Sequence, residues 1–148
     1  MIFARFFHII SVVVWVGGMF FAYMALRPVA AERLEPPQRL RLWEGVFSRF
    51  FPWVWTAVTL ILFSGLFMLM RMSIPSMYLM VMATLGFLMM LLFGHLYFAL
   101  FRKLKRAVTA EDWATGGMIL GKMRKMIAIN LTLGLMTVTV ATLGPLLG

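Results

Sequence analysis

Apolar positions gather into four long runs, at about 3–26, 50–70, 77–101 and 126–147, and the stretches between them hold nearly all the charge. About 20 helical residues cross a hydrocarbon layer of roughly 30 Å. Inside lipid a backbone amide finds no water, so runs of this length predict helices. The pattern predicts an all-α integral membrane protein, a four-transmembrane-helix bundle forming one domain over residues 1–148.

The connections add detail. In the first, Arg27 to Arg49, Pro36-Pro37 starts a short amphipathic helix before the second span, with Leu40, Trp43 and Phe47 on one face. Pro52 then falls in the first turn of that span or kinks it. Arg71-Met72-Ser73-Ile74-Pro75 makes a tight hairpin. In the third connection, Arg102 to Lys125, Thr109-Ala-Glu-Asp112 has the form of a capping box, opening a helix that continues through Gly116-Gly117 into the fourth span.

Charge sets the topology. The first connection carries Arg27, Arg33, Arg39, Arg41 and Arg49, and the third carries Arg102, Lys103, Lys105, Arg106, Lys122, Arg124 and Lys125. The amino terminus and the second connection carry Arg5 and Arg71 alone. The positive-inside rule places both termini on the extracytoplasmic side of a cell inner membrane. The net charge of +9 thus serves topology and the lipid surface, and no basic platform for nucleic acid is present. A mean hydropathy of +0.95 excludes a water-soluble monomer, and the absence of cysteine excludes disulfides and thiolate metal sites. The first run lacks a cleavage site and is followed by Arg27-Pro28, so it is expected to be a retained span.

Within the spans the informative residues are the polar ones: His8, Ser11, Thr56, Thr59, Ser64, Thr84, His95, Asn130 and the threonines of the fourth run. At helical spacing His8, Ser11, Trp15, Gly18 and Ala22 share one face, and Asn130, Gly134, Thr137, Ala141 and Gly144 share another. Both stripes are expected to face the bundle interior. His8 and His95 differ in height by roughly 18 Å at 1.5 Å per residue, too far to clamp one ion within one chain. His95 is expected to bond Asn130 at the inner level, near Thr56. His8 is level with Met68, Met70, Met80 and Met82, with Arg5 one turn above and Arg71 close by. That outer set suits two ligands: a haem b, with arginines for its propionates, or Cu(I), which favours imidazole and thioether. A copper role would draw its metal ligands from His8, His95, Met68, Met80 and Met82. Packing alone also accounts for the methionines, which fall in every span.

The stretch His8-Ile-Ile-Ser-Val-Val-Val-Trp-Val-Gly-Gly-Met-Phe-Phe, with Leu26-Arg27-Pro28 at its inner end, resembles the first helix of the CopD-like membrane proteins. It is also similar to that of the HemJ-type protoporphyrinogen oxidases, and the likeness continues in Gly94-His95 and Arg-Lys-Met-Ile-Ala-Ile-Asn130. The resemblance implies a four-helix bundle with extracytoplasmic termini. The HemJ-type likeness implies haem b on His8, and the CopD-like one implies an association with copper. The oxidases' third-helix lysine and fourth-helix acidic residue have no counterpart here, where Met82 to Thr84 and Leu131 stand instead. Haem binding without that oxidase activity is the consequence.

The expectation is therefore a haem b protein passing electrons between a quinone and a partner or small oxidant. Its cofactor contacts would be His8, Arg5, Ser11, Arg71, His95 and Asn130. Copper binding or transport is the first alternative, a cofactor-free structural or assembly subunit the second. A homo-oligomer is compatible with either.

Overall fold

A computed structural model describes residues 1–147 and places each predicted span inside one longer helix. These are α1 (Ile2–Arg33), α2 (Pro36–Met70), α3 (Met77–Thr109) and α4 (Trp113–Leu147). Among the described residues there is no strand.

The helices overrun the apolar runs at the basic end, where the sequence suggested connections. α1 continues through a π-helical turn, Ala22–Leu26, to Arg33. That wider turn directly precedes Pro28, whose ring and missing amide would disrupt a regular α-helix interior, and so lets the helix run on. A break at Leu34-Glu35 follows, and Pro36 opens α2 from its first turn. The expected amphipathic helix is the start of α2 itself, with Leu40, Trp43 and Phe47 all buried. Pro52 lies within α2, and the Thr56 hydroxyl donates to its carbonyl.

The fourth helix starts later than expected. Thr109 closes α3, its hydroxyl donating to the Lys105 carbonyl. The chain reverses through Glu111, whose φ of 56° is left-handed, and Asp112 caps α4 by accepting from the Thr115 amide at 3.3 Å. The capping box at Thr109 is thus corrected to a cap at Asp112. The hydrogen bonds from Thr115 hold this carboxyl below its ordinary value. The cap is therefore intact at neutral pH and is lost as acidification passes through that lowered value.

α1 packs mainly on α2 and α3 on α4, and α4 also touches α1 and α2. α2 and α3 are joined through aromatic side chains: Phe51 meets Phe93 at 5.4 Å and Phe101 at 4.9 Å between ring centroids, and Trp55 meets Phe93 at 5.0 Å. The core is densest toward the basic end, where Leu104 and Met123 are fully buried. Between residues 65 and 88, by contrast, no residue is buried.

Both small and polar stripes face inward. Ser11, Trp15 and Ala22 are buried on α1, as are Asn130, Gly134 and Gly144 on α4. A Cβ on Gly134 would stand 3.0 Å from Val16 and 3.1 Å from the Met89 methyl, because three helices converge there. Gly134→Leu is expected to destabilise the bundle by about 1–3 kcal/mol through overpacking, read as a lower unfolding temperature in detergent. Gly17→Leu, at a position with open space, is the control that leaves it unchanged.

Candidate metal centre

His8 is half-buried in the seam between α1 and α2. The neighbouring helix makes room with Ser64-Gly65: a Cβ on Gly65 would touch the ring at 3.4 Å. His8 Nδ1 lies 2.9 Å from Ser64 Oγ, and the Ser64 hydroxyl donates to the carbonyl of Leu60 one turn back. When the serine proton points to the Leu60 carbonyl, the tautomer that completes the chain has its proton on Nδ1, donated to Ser64. Nε2 is then an unprotonated lone-pair nitrogen, the form in which histidine binds a metal.

The rest of the expected outer cluster does not assemble around it. Met68 is one turn beyond Ser64 on the same face of α2. Met80 and Met82 stand on the outer part of α3, which packs on α4 and makes no comparable approach to α1. Met70 is 84% exposed, and Met80 is also exposed. Arg71 is turned onto the ring of Phe67 at 4.6 Å, and Arg5 is exposed. Neither of the two cavities described below is lined by His8. Of the residues expected to frame a haem, the structure shows the His8 imidazole in a helix seam, Arg71 turned onto Phe67 and Arg5 exposed, which gives a haem no support here.

The expected His95–Asn130 pair is not formed. Asn130 is buried on α4 and its Nδ2 donates to the Met89 carbonyl at 3.3 Å, leaving Oδ1 without a partner. His95 is exposed on the outer face of α3. The buried positions of α3 near His95 include Met89, Phe93, Leu96 and Leu100, and two residues past Phe93 is about 200° around a helix. The bond from Asn130 to the Met89 carbonyl sets Asn130 against α3 six residues before His95, so the expected pair differs in level as well as in direction around the helix. Ser11 is buried as expected, without contacting His95 or Asn130 through any hydrogen bond.

Three other methionines are inside: Met19, Met89 and Met123. Met89 also accepts a weak hydrogen bond from Thr137 at 3.9 Å. Met19 was open to detection, since it falls four residues past Trp15 on the stripe of His8. Met89 and Met123 stand in helices too uniformly apolar to mark an inner face. Thr56, Thr59, Thr84, Thr132, Thr139 and Thr142 are exposed and bond carbonyls of their own helix, so their hydroxyls are satisfied locally. Among the described residues no group of three or more His, Cys, Asp or Glu could hold a metal.

Four helices long and apolar enough to cross a membrane define a multi-pass membrane protein. A family model, copper resistance protein D (CopD), matches residues 44–143, and this chain belongs to that family. It is also 36% identical to the copper transport protein CutJ of Bacillus subtilis (strain 168), over 75% of this chain and 22% of the relative. The chain thus spans about a fifth of that relative's length. No solved structure matches.

Ser64→Ala is expected to leave the His8 imidazole unpaired at Nδ1 and to cost about 1 kcal/mol of stability in detergent. His95→Ala, at an exposed position, is expected to change stability by less than about 0.5 kcal/mol. Thermal unfolding of the two variants beside the wild type checks both.

Proposed function

We propose that this chain binds Cu(I) as cargo and passes it into or across the membrane, with His8 Nε2 as the receiving nitrogen at the amino-terminal end. One observation carries the reading. The contact of His8 Nδ1 with Ser64, whose hydroxyl bonds the Leu60 carbonyl, favours the tautomer that leaves Nε2 free for a metal, in a protein whose spans otherwise offer thioethers. Soft and intermediate donors of this kind suit Cu(I) over zinc sites built on thiolate or hard cations built on carboxylate. Family membership and the relative described as a copper transport protein support the same cargo.

Thioethers at successive depths extend the reading inward. Met68 stands one turn outward of Ser64; Met89, Met19 and Met123 lie inside the bundle toward the basic end. Each provides a weak sulfur donor, which suits an ion that must leave as well as bind. The positive-inside rule puts the basic end in the cytoplasm, so the proposed direction is from the outer side inward.

The test is a titration of the detergent-purified chain with Cu(I) held by a competing chelator. Tight binding is expected in the wild type, weakened at least tenfold in His8→Ala and unchanged in His95→Ala. Wild-type affinity in His8→Ala would overturn the assignment of His8. An absorption spectrum without haem bands, oxidised or dithionite-reduced, is expected alongside. A Soret band lost in His8→Ala would overturn copper in favour of haem.

A further inference from the structure

At the basic end, far from His8, α1, α2 and α4 enclose a cavity of about 320 Å³. Three arginines line it, Arg27, Arg39 and Arg124, with Tyr23, Trp43 and Trp113 among the remaining walls. No carboxylate is in its lining. Among the described residues the one ion pair is Arg41 with Glu111 at 3.5 Å, and neither residue lines the cavity. Arg27 is steadied by its Nε–H bond to the Tyr23 carbonyl and by the Tyr23 ring 4.5 Å beneath it. Arg39 Nε is buried without any partner.

Arg27 and Arg39, both half-buried, and the exposed Arg124 bring three positive charges to one half-open cavity, and the buried Arg39 N–H without an acceptor carries a desolvation cost. An anion relieves both. The guanidinium fork matches the paired oxygens of a phosphate. The cavity also has an apolar continuation. A second space of about 270 Å³ shares Ala22, Phe47 and Ile127 with it and is walled by Trp15, Phe50, Phe51 and Phe93. A charged chamber at the end where the basic connections begin, adjoining an aromatic one inside the bundle across Ala22, Phe47 and Ile127, has the polarity of a lipid: head at the membrane surface, chain within.

We propose that this paired cavity is a binding site for an anionic phospholipid, its phosphate held by Arg27, Arg39 and Arg124 and an acyl chain lying against the aromatic walls. The site bridges α1, α2 and α4 at the end opposite His8, so it is independent of the copper reading.

The test uses the whole chain in detergent, with Trp53, which is 64% exposed, changed to Phe to reduce background. Near-stoichiometric amounts of phosphatidylglycerol or phosphatidylcholine with brominated acyl chains are added, and quenching of tryptophan fluorescence is read. Tighter quenching by the anionic lipid, by at least tenfold, is expected. In Arg39→Gln/Arg124→Gln that preference should disappear, whereas Arg41→Gln, outside the cavity, should keep it. Equal affinity of the wild type for the two lipids overturns the proposal, and this comparison needs no variant to fold. Displacement of the bound lipid by millimolar inorganic phosphate also overturns it, since the site would then be one for a free anion.

Discussion

Hydrocarbon offers a polar group nothing to bond, and that constraint governs this molecule. It makes each apolar run a continuous helix, because an amide left open in lipid costs several kcal/mol. It sends lipid-facing threonines back to carbonyls of their own helix. It also favours seams for the remaining polar side chains, where a neighbouring helix supplies a partner, although His95 stays exposed on α3. His8 finds Ser64 and Asn130 finds the Met89 carbonyl. The same bond that satisfies the His8 N–H exposes its other nitrogen as a donor, so the chemistry of the candidate site follows from satisfying a buried polar atom.

The two ends of the bundle are built differently. Toward the basic end the helices run past the apolar segments and continue to bury residues, from Leu40 and Trp43 on α2 to Leu104 and Met123 on α3 and α4. Aromatic contacts between α2 and α3 hold the middle. At the opposite end the described chain buries nothing between residues 65 and 88, and there the imidazole stands against Ser64 and Gly65. A densely packed basic end and a loosely packed opposite end are compatible with the proposed acceptance and release of an ion.

Much of this architecture was legible in the sequence. Run length identified the four helices, and the 3.6-residue spacing from His8 to Ala22 and from Asn130 to Gly144 identified two inner faces. Where a helix carried no polar contrast, the reading lost its angle. α3 is apolar nearly throughout, so nothing showed that its inner face follows Met89, Phe93 and Leu96, and His95 was assigned to the interior by depth alone. Local motifs were weaker than the turn geometry around them: the left-handed Glu111 moved the helix start from Thr109 to Asp112. The arginine cavity was hidden for another reason. Arg27, Arg39 and Arg124 come from three helices, and in the sequence they are indistinguishable from the basic residues that set topology.

The central claim is that the His8 imidazole, oriented by Ser64, ligates Cu(I) together with thioether sulfur. X-ray absorption at the copper edge of the Cu(I)-loaded chain tests it most directly. The account predicts an imidazole shell beside sulfur in the wild type, with the imidazole signature gone in His8→Ala. A spectrum of sulfur alone in the wild type, or one that His8→Ala leaves unchanged, would contradict it.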